Sequence, residues 1–159
     1  MKRILLTQGK YALVADEQLA EMEYKWYFNN GYALRSVKIN GKWRNIYMHR
    51  VVLEHKLGRK LRPGEQCDHL NGIKTDNRLE NLRVATNAQN SMNRGLNKNN
   101  TSGEKGVYWH KRAQKWMAYI MYQGRRIHLG LFMTKEAAAL AYSQTAKQLF
   151  GEFAYEGGE

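Results

Sequence analysis

The chain has 159 residues, which suffices for one ordinary domain or two small ones. Its 26 Lys and Arg against 14 Asp and Glu give a formal net charge of +12, which favours a polyanionic partner because cations that neutralise phosphates release counterions. The single cysteine, Cys67, excludes an intramolecular disulfide, and no apolar run is long enough to cross a bilayer. The opening MKRILLTQGKY has too short an apolar stretch for a signal peptide, so a cytoplasmic protein is expected.

Residues 1–45 alternate apolar and polar side chains in short runs (KYALVAD, YKWYFNNGYALRS, GKWRNIYMHR), and Asn30-Gly31 and Asn40-Gly41 are tight-turn dipeptides. The pattern predicts an antiparallel β meander. Between its runs, EQLAEMEYK is a short helix or a loop. Arg35, Lys38, Lys42, Trp43 and Arg44 interleave cations with aromatics. Such residues suit a DNA-contacting hairpin, with Arg35 as a DNA-binding candidate, and equally a sheet edge protected by charge.

Residues 46–94 form the second block. Val51, Val52, His55 and Lys56 in MHRVVLEHKLG have helical spacing, and Gly58 is placed to end the helix. His49 and His55 read as residues that pack or cap this helix. Pro63-Gly64 is a turn, followed by a strand at 66–70, an Asn- and Asp-rich loop, a strand near 82–85, and a helix that Thr86 caps. Residues 95–103 (GLNKNNTSG) are polar and aperiodic and read as a flexible linker. In the last block, 104–155, three strand-like runs (GVYWHKR, KWMAYIMYQ, RRIHLGLF) precede a helix capped by Thr134 and ended at Gly151. Ala138, Ala141, Tyr142, Ala146 and Leu149 fall on one face of it, so it can lie close against a sheet.

The stretch from Cys67 to Asn90 concentrates the chemistry. Asp68 and His69 are neighbours on a strand, so regular alternation sends their side chains to opposite sides unless a strand end or bulge intervenes. Asn90, one turn into the helix after Thr86, can fold back onto Asp68. A carboxylate and an amide oxygen suit a hard divalent ion that keeps several waters and accepts phosphate oxygens. His69 has the pKa range to take a proton from water, and the Asn81 amide can hold the loop that follows it. Structural zinc is not expected, because Cys67 has no second cysteine.

These elements (MHRVVLEHKLGR, the DH pair, NG-K-DNR-ENLR and the final N-A-Q-N) resemble the His-Asn-His (HNH) nuclease motif, in particular its bacteriophage homing-endonuclease branch. The resemblance implies a ββα-metal (His-Me finger) core. It places Asp68 and Asn90 as ligands of one divalent metal ion, Mg²⁺ or alternatively Mn²⁺, His69 as general base, and Asn81 as the residue that orients it. Asn90 stands where the motif's last His is usual, a departure shared by part of the family.

The last block resembles the plant apetala/ethylene-response-factor DNA-binding domain, through W-x-A-x-I, L-G-x-F and the Ala-rich helix. That resemblance implies a three-stranded antiparallel sheet on one helix, with the sheet in the DNA major groove. Alternation points Val107, Trp109, Trp116, Ala118, Ile120, Ile127 and Leu129 to the helix. It points Tyr108, His110, Arg112, Lys115, Met117, Tyr119, Arg126 and His128 outward, where Arg, Lys, His and Tyr suit phosphates and base edges. Arg125 completes the expected DNA-binding set. The family carries more arginine on this face, so its target sequence does not transfer.

The expected fold is therefore α+β: an N-terminal β meander (1–45), a nuclease core (46–94), a linker (95–103) and a sheet-plus-helix DNA reader (104–155). The expected function is metal-dependent nicking of double-stranded DNA, encoded by a phage or prophage, by a monomer or weak dimer without a membrane partner. Two rivals are a DNA-binding regulator with an inactive nuclease core, and an RNA nuclease, which a sheet shaped for B-form DNA suits poorly.

Overall fold

The structure is a computed structural model, and it describes residues 1–15 and 24–155. The EQLAEMEYK segment therefore lies, up to Glu23, outside the described residues. The chain divides into two compact units, Met1–Asn90 and Ser91–Glu159.

In the first unit the alternating N-terminal runs become two sheets rather than one. Strands β1 (Lys2–Leu5) and β2 (Tyr11–Val14) pair as an antiparallel hairpin. Strands β3 (Tyr27–Asn29), β4 (Tyr32–Ile39) and β5 (Lys42–Tyr47) form a meander in the order β3-β4-β5. Its two turns are the Asn-Gly dipeptides, with φ of 49° at Asn30 and Asn40 and 89° and 78° at the glycines after them. Two consecutive positive φ values match the twist of a two-residue hairpin, and Asn followed by Gly adopts them at least cost.

Strand β5 runs directly into helix α1 (Met48–Leu57), which ends at Gly58 in the left-handed conformation, its N–H donating to Glu54 O and His55 O. The helix buries Met48, Val52 and Leu53 in a core with Val14, Trp26, Ala33 and Leu82. Burial of side chains of this size contributes roughly 1.5–3 kcal/mol each. Glu54 is buried as well, and its carboxylate accepts from Arg50 Nε at 2.8 Å, Lys60 Nζ at 2.8 Å and Leu61 N at 3.1 Å, which ties the chain after α1 back onto the helix.

Strands β6 (Glu65–His69) and β7 (Leu82–Thr86) then pair antiparallel, and helix α2 (Asn87–Met92) follows without a loop. A reciprocal cap starts α2: Gln89 N donates to Thr86 Oγ1 at 3.3 Å, and Thr86 N donates to Gln89 Oε1 at 2.8 Å. Strand β2 reaches the connection between β6 and β7, since Leu13 N donates to Thr75 O and Asn77 N to Leu13 O, both at 2.8 Å.

The second unit holds strands β8 (Val107–His110), β9 (Lys115–Tyr122) and β10 (Arg125–Phe132), in the order β10-β9-β8, with helix α3 (Lys135–Phe150) against one face. Thr134 Oγ1 accepts from Ala137 N at 3.2 Å to start α3, and Gly151 ends it. Ala138, Tyr142, Ala146 and Phe150 are its buried residues. The backbone at Gly106, with φ of 70°, approaches so closely that a Cβ there would meet the Tyr142 ring at 2.3 Å. The segment 95–103 is tied to this unit by hydrogen bonds: Ser102 Oγ donates to Val107 O at 2.7 Å, and Lys105 Nζ bonds to Met92 O and Arg94 O at 2.7 and 2.6 Å. Among the described residues no helix is long and apolar enough to cross a membrane.

Candidate active site and nucleic-acid interface

The β6–β7 ladder is unbroken, pairing Gln66 with Ala85, Asp68 with Arg83 and His69 with Leu82. Alternation therefore sets Gln66 and Asp68 on one face and Cys67 on the other, while His69 closes the strand, close enough to Asp68 to feel its charge. No bulge intervenes; His69 is the last residue of the strand.

On the first face, Asp68 Oδ2 accepts from Arg83 Nε at 2.9 Å and lies 2.8 Å from Arg83 Nη2, with both side chains largely buried. Asn90, on α2, donates from Nδ2 to Gln66 Oε1 at 2.6 Å. Asn90 is thereby anchored to the strand that carries Asp68, two residues along on the same face, and its Oδ1 is the branch of the amide turned away from Gln66. A cavity of about 350 Å³ is bordered by Asn90 and Gln66 together with Cys67, His49, Tyr47 and Tyr32, so it meets residues from both sides of β6.

At the end of β6 His69 is buried, its Nε2 3.3 Å from Asn77 Oδ1. Burial pushes its pKa down from the ordinary value, partly opposed by the Asn77 hydrogen bond and by Asp68 and Asp76. Its ring meets that of His49 edge-on at 5.1 Å between centroids, and Tyr32 lies beside both at 6.3 and 5.2 Å. His49 is held neutral: burial, then His69 and Arg50, push it down to about 3. Its Nδ1 is buried with no hydrogen-bond partner among the described residues. His55 is exposed on α1. Cys67 lies beneath, its thiol pushed up to about 12 by burial and by Asp68.

Asn81 acts through its amide on the loop that follows His69. Its Oδ1 accepts from Asn71 N at 3.0 Å and its Nδ2 donates to Asp76 O at 2.8 Å, so it braces the loop that leaves His69. Asn77, within the DNR triplet and without an expected role, bonds the imidazole. Asp76, beside it, is buried and paired with Arg78 at 2.7 Å. Gln66, Arg83 and His49 also surround the site without having been singled out for it; only the pairing of β6 with β7 and the return of α2 reveal them.

No group of three or more His, Cys, Asp or Glu among the described residues is arranged to hold a metal. The expected donors are an Asp68 carboxylate that Arg83 engages and an Asn90 amide that Gln66 anchors. That pair fits a hard ion completing its shell with water and phosphate oxygens, and does not fit structural zinc.

In the second unit the ladder sets Tyr108 beside Met117, Tyr119 beside His128 and Met121 beside Arg126 on the face away from α3. The Tyr108 and Tyr119 rings meet edge-on at 5.5 Å, and the Arg126 guanidinium lies 4.5 Å over the Tyr119 ring. Lys115 pairs with His110 at the start of β9, and Arg112 lies in the turn between them. His110 Nδ1 accepts from Ala113 N at 3.0 Å, so the ring holds that turn. Arg125 pairs with Tyr122 and thus falls on the face toward α3, apart from the other expected DNA-binding residues. Trp109 and Ile127, expected against the helix, are 41% and 37% exposed, because they lie near strand ends on that face. Arg35 belongs to the first unit, its guanidinium 3.5 Å over the Tyr24 ring.

A ββα hairpin carrying Asp, His and Asn, together with a basic aromatic sheet in the same chain, defines a nucleic-acid-cleaving protein with its own DNA-binding module. Residues 46–92 match the HNH endonuclease family and residues 102–152 the AP2 domain family. An uncharacterized HNH endonuclease of Acanthamoeba polyphaga mimivirus is 31% identical over 150 residues, covering 92% of this chain and 74% of that protein. Protein 3.8 of Escherichia phage T7 is 34% identical over 91 residues, covering 57% of this chain and 74% of its own length. No solved structure matches significantly. The chain belongs to the HNH endonuclease family. It is a DNA-cleaving hydrolase with an AP2-type DNA-binding domain.

Proposed function

We propose that this chain is a metal-dependent endonuclease that nicks double-stranded DNA at preferred sites, in the manner of a phage-type homing endonuclease. Residues 46–94 act as the nuclease core and 104–155 as the DNA reader. The observation that carries the reading is the 2.6 Å hydrogen bond from Asn90 to Gln66, which docks α2 onto the strand that ends in Asp68-His69.

Asp68 and Asn90 would hold one divalent ion, Mg²⁺ with Mn²⁺ as the alternative. Such an ion, when bound, polarises the scissile phosphate and stabilises charge on the leaving 3′ oxygen. His69 acts as general base. The Asn77 amide oxygen only accepts, so His69 Nε2 carries the ring proton and Nδ1 is the nitrogen that takes a proton from water. Burial lowers the His69 pKa and so keeps the imidazole in its basic form at neutral pH. Asn81 orients His69 through the loop that follows it, its amide bonding Asn71 N and Asp76 O. The outward face of the sheet, with Tyr108, Lys115, Tyr119, Arg126 and His128, supplies binding and register. Products are 5′-phosphate and 3′-hydroxyl ends. One active site per chain gives a nick from a monomer, and a double-strand break needs a second active site from a dimer or a second visit.

Chelation tests the metal requirement. Nicking is lost with EDTA and restored by Mg²⁺ or Mn²⁺, and Asp68→Ala requires far more metal or fails to respond. Undiminished nicking in EDTA overturns the reading.

A further inference from the structure

The segment that leads into the sheet does more than connect. Between residues 94–101 and the outward face of the sheet lies a cleft of about 630 Å³. Tyr108 and Tyr119 form its floor, Arg126 and Lys105 its sides, and Arg94, Asn97 and Asn99 its exposed rim. Among the described residues that line it there is no carboxylate, so three cations face the space with no internal counter-charge. The Arg94 side chain has no ion-pair partner among the described residues, and the Arg126 guanidinium is engaged only by stacking at 4.5 Å on Tyr119. Lys105 is spent on structure: its ammonium holds the carbonyls of Met92 and Arg94, which keeps the segment's start in place and leaves the Arg94 side chain at the rim. Ser102 fastens the other end: its hydroxyl donates to Val107 O at 2.7 Å and accepts from Glu104 N at 3.1 Å. The rim is therefore presented from both ends by hydrogen bonds, next to the outward face of the sheet.

We propose that this cleft is a second DNA-contact site, taking a backbone phosphate of duplex DNA beside the sheet's own footprint, with Arg94 as the charged contact and the Asn97 and Asn99 amides as neutral donors. The cleft lengthens the footprint without adding base readout, because phosphate contacts fix register and carry no sequence information. A site of cations and amide donors with no acid selects an anion, and the tyrosine floor allows close approach of a sugar. The inference rests on the reading of the sheet as a DNA-binding face, and the test separates the two.

The experiment measures binding of a labelled mixed-sequence duplex by anisotropy across a salt series, using the full chain. The triple variant Arg94→Gln, Asn97→Ala, Asn99→Ala changes only exposed side chains, and its unfolding midpoint is checked against wild type. Expected are a roughly 3- to 10-fold loss of affinity and a fall of about one in the slope of log affinity against log salt, as for one lost phosphate contact. Arg94→Lys retains the wild-type slope. A triple variant that binds like wild type while Arg126→Gln binds more weakly overturns the cleft and leaves the sheet reading in place. If neither variant weakens binding, both fall. Inorganic phosphate should weaken DNA binding of wild type more than chloride of equal ionic strength does, and this excess should vanish in the triple variant; an equal excess in the triple variant would place the competed phosphate contact outside the cleft and overturn the proposal.

Discussion

His69 Nε2 lies 3.3 Å from Asn77 Oδ1, and Asn77 is itself completely buried. Its Nδ2 donates to Thr75 O at 3.3 Å and lies 3.3 Å from Met48 Sδ, while its backbone N–H donates to Leu13 O on β2. The orientation of the imidazole is thus set by a contact that begins in the N-terminal hairpin. On the proposed assignment, Asn77 selects the His69 tautomer that leaves Nδ1 basic.

The acid limb of nicking follows from this. The base must be neutral, and burial lowers the His69 pKa, so activity persists below pH 6.5 before it declines. Asn77→Asp places a carboxylate against Nε2 and stabilises the imidazolium, so the acid limb moves to higher pH with DNA binding retained. A pH–rate profile unchanged by this variant would show that Asn77 has no part in setting the base.

The neighbouring His49 predicts a pH dependence of stability. Its folded pKa is about 3 against an ordinary 6.5, so between those values the unfolded chain binds the proton and the folded one does not. Stability therefore falls as pH drops from about 6.5 toward 3, and is unaffected by this group above that window. His69 acts in the same direction. Glu54, Glu65 and Asp76 titrate below their ordinary values, so the stability they contribute is lost mainly below pH 5. Denaturation midpoints at pH 7.5 and 5 should differ clearly for wild type and less for His49→Phe. Equal differences would refute the assignment.

Arg83 and Asp68 form a buried pair directly across the hairpin. Removing one partner leaves an uncompensated buried charge, so Arg83→Met should destabilise the first unit by about 3–5 kcal/mol. If Asp68 is a metal ligand, Mg²⁺ or Mn²⁺ should raise the unfolding temperature of this variant more than that of wild type. A variant that melts like wild type would mean that the pair contributes little.

Local signals made most of the fold legible. Gly58, Thr86, Thr134 and Gly151 mark helix ends because caps depend on neighbours in sequence, and each Asn-Gly pair makes its turn for the same reason. What escaped depends on distant partners. Alternation in residues 1–45 reports strands but not which strands pair, so one meander stood for two sheets. On β10 the register shifts between His128 and Gly130, which sets Gly130 opposite Ala118 and Phe132 opposite Trp116 on the inner side and turns Leu131 out. Strict alternation across that point gives the reverse; Gly130, with φ of 134°, is the local mark of the bulge, but a lone glycine in a strand run does not set the new register. In the site, Asp68, His69 and Asn90 were visible as chemistry-bearing types at a known spacing. Asn77 and Arg83 were not, because one is placed by β2 and the other by the register of β6 against β7.

The central claim is tested most directly by incubating supercoiled plasmid or phage DNA with Mg²⁺ or Mn²⁺ and the wild-type protein or His69→Ala, with binding of both to the same DNA measured in parallel. Wild type should convert supercoiled DNA to the open circle, while His69→Ala binds equally and nicks at least about 100-fold more slowly, the scale of a lost general base. Nicking by His69→Ala at the wild-type rate would contradict the account.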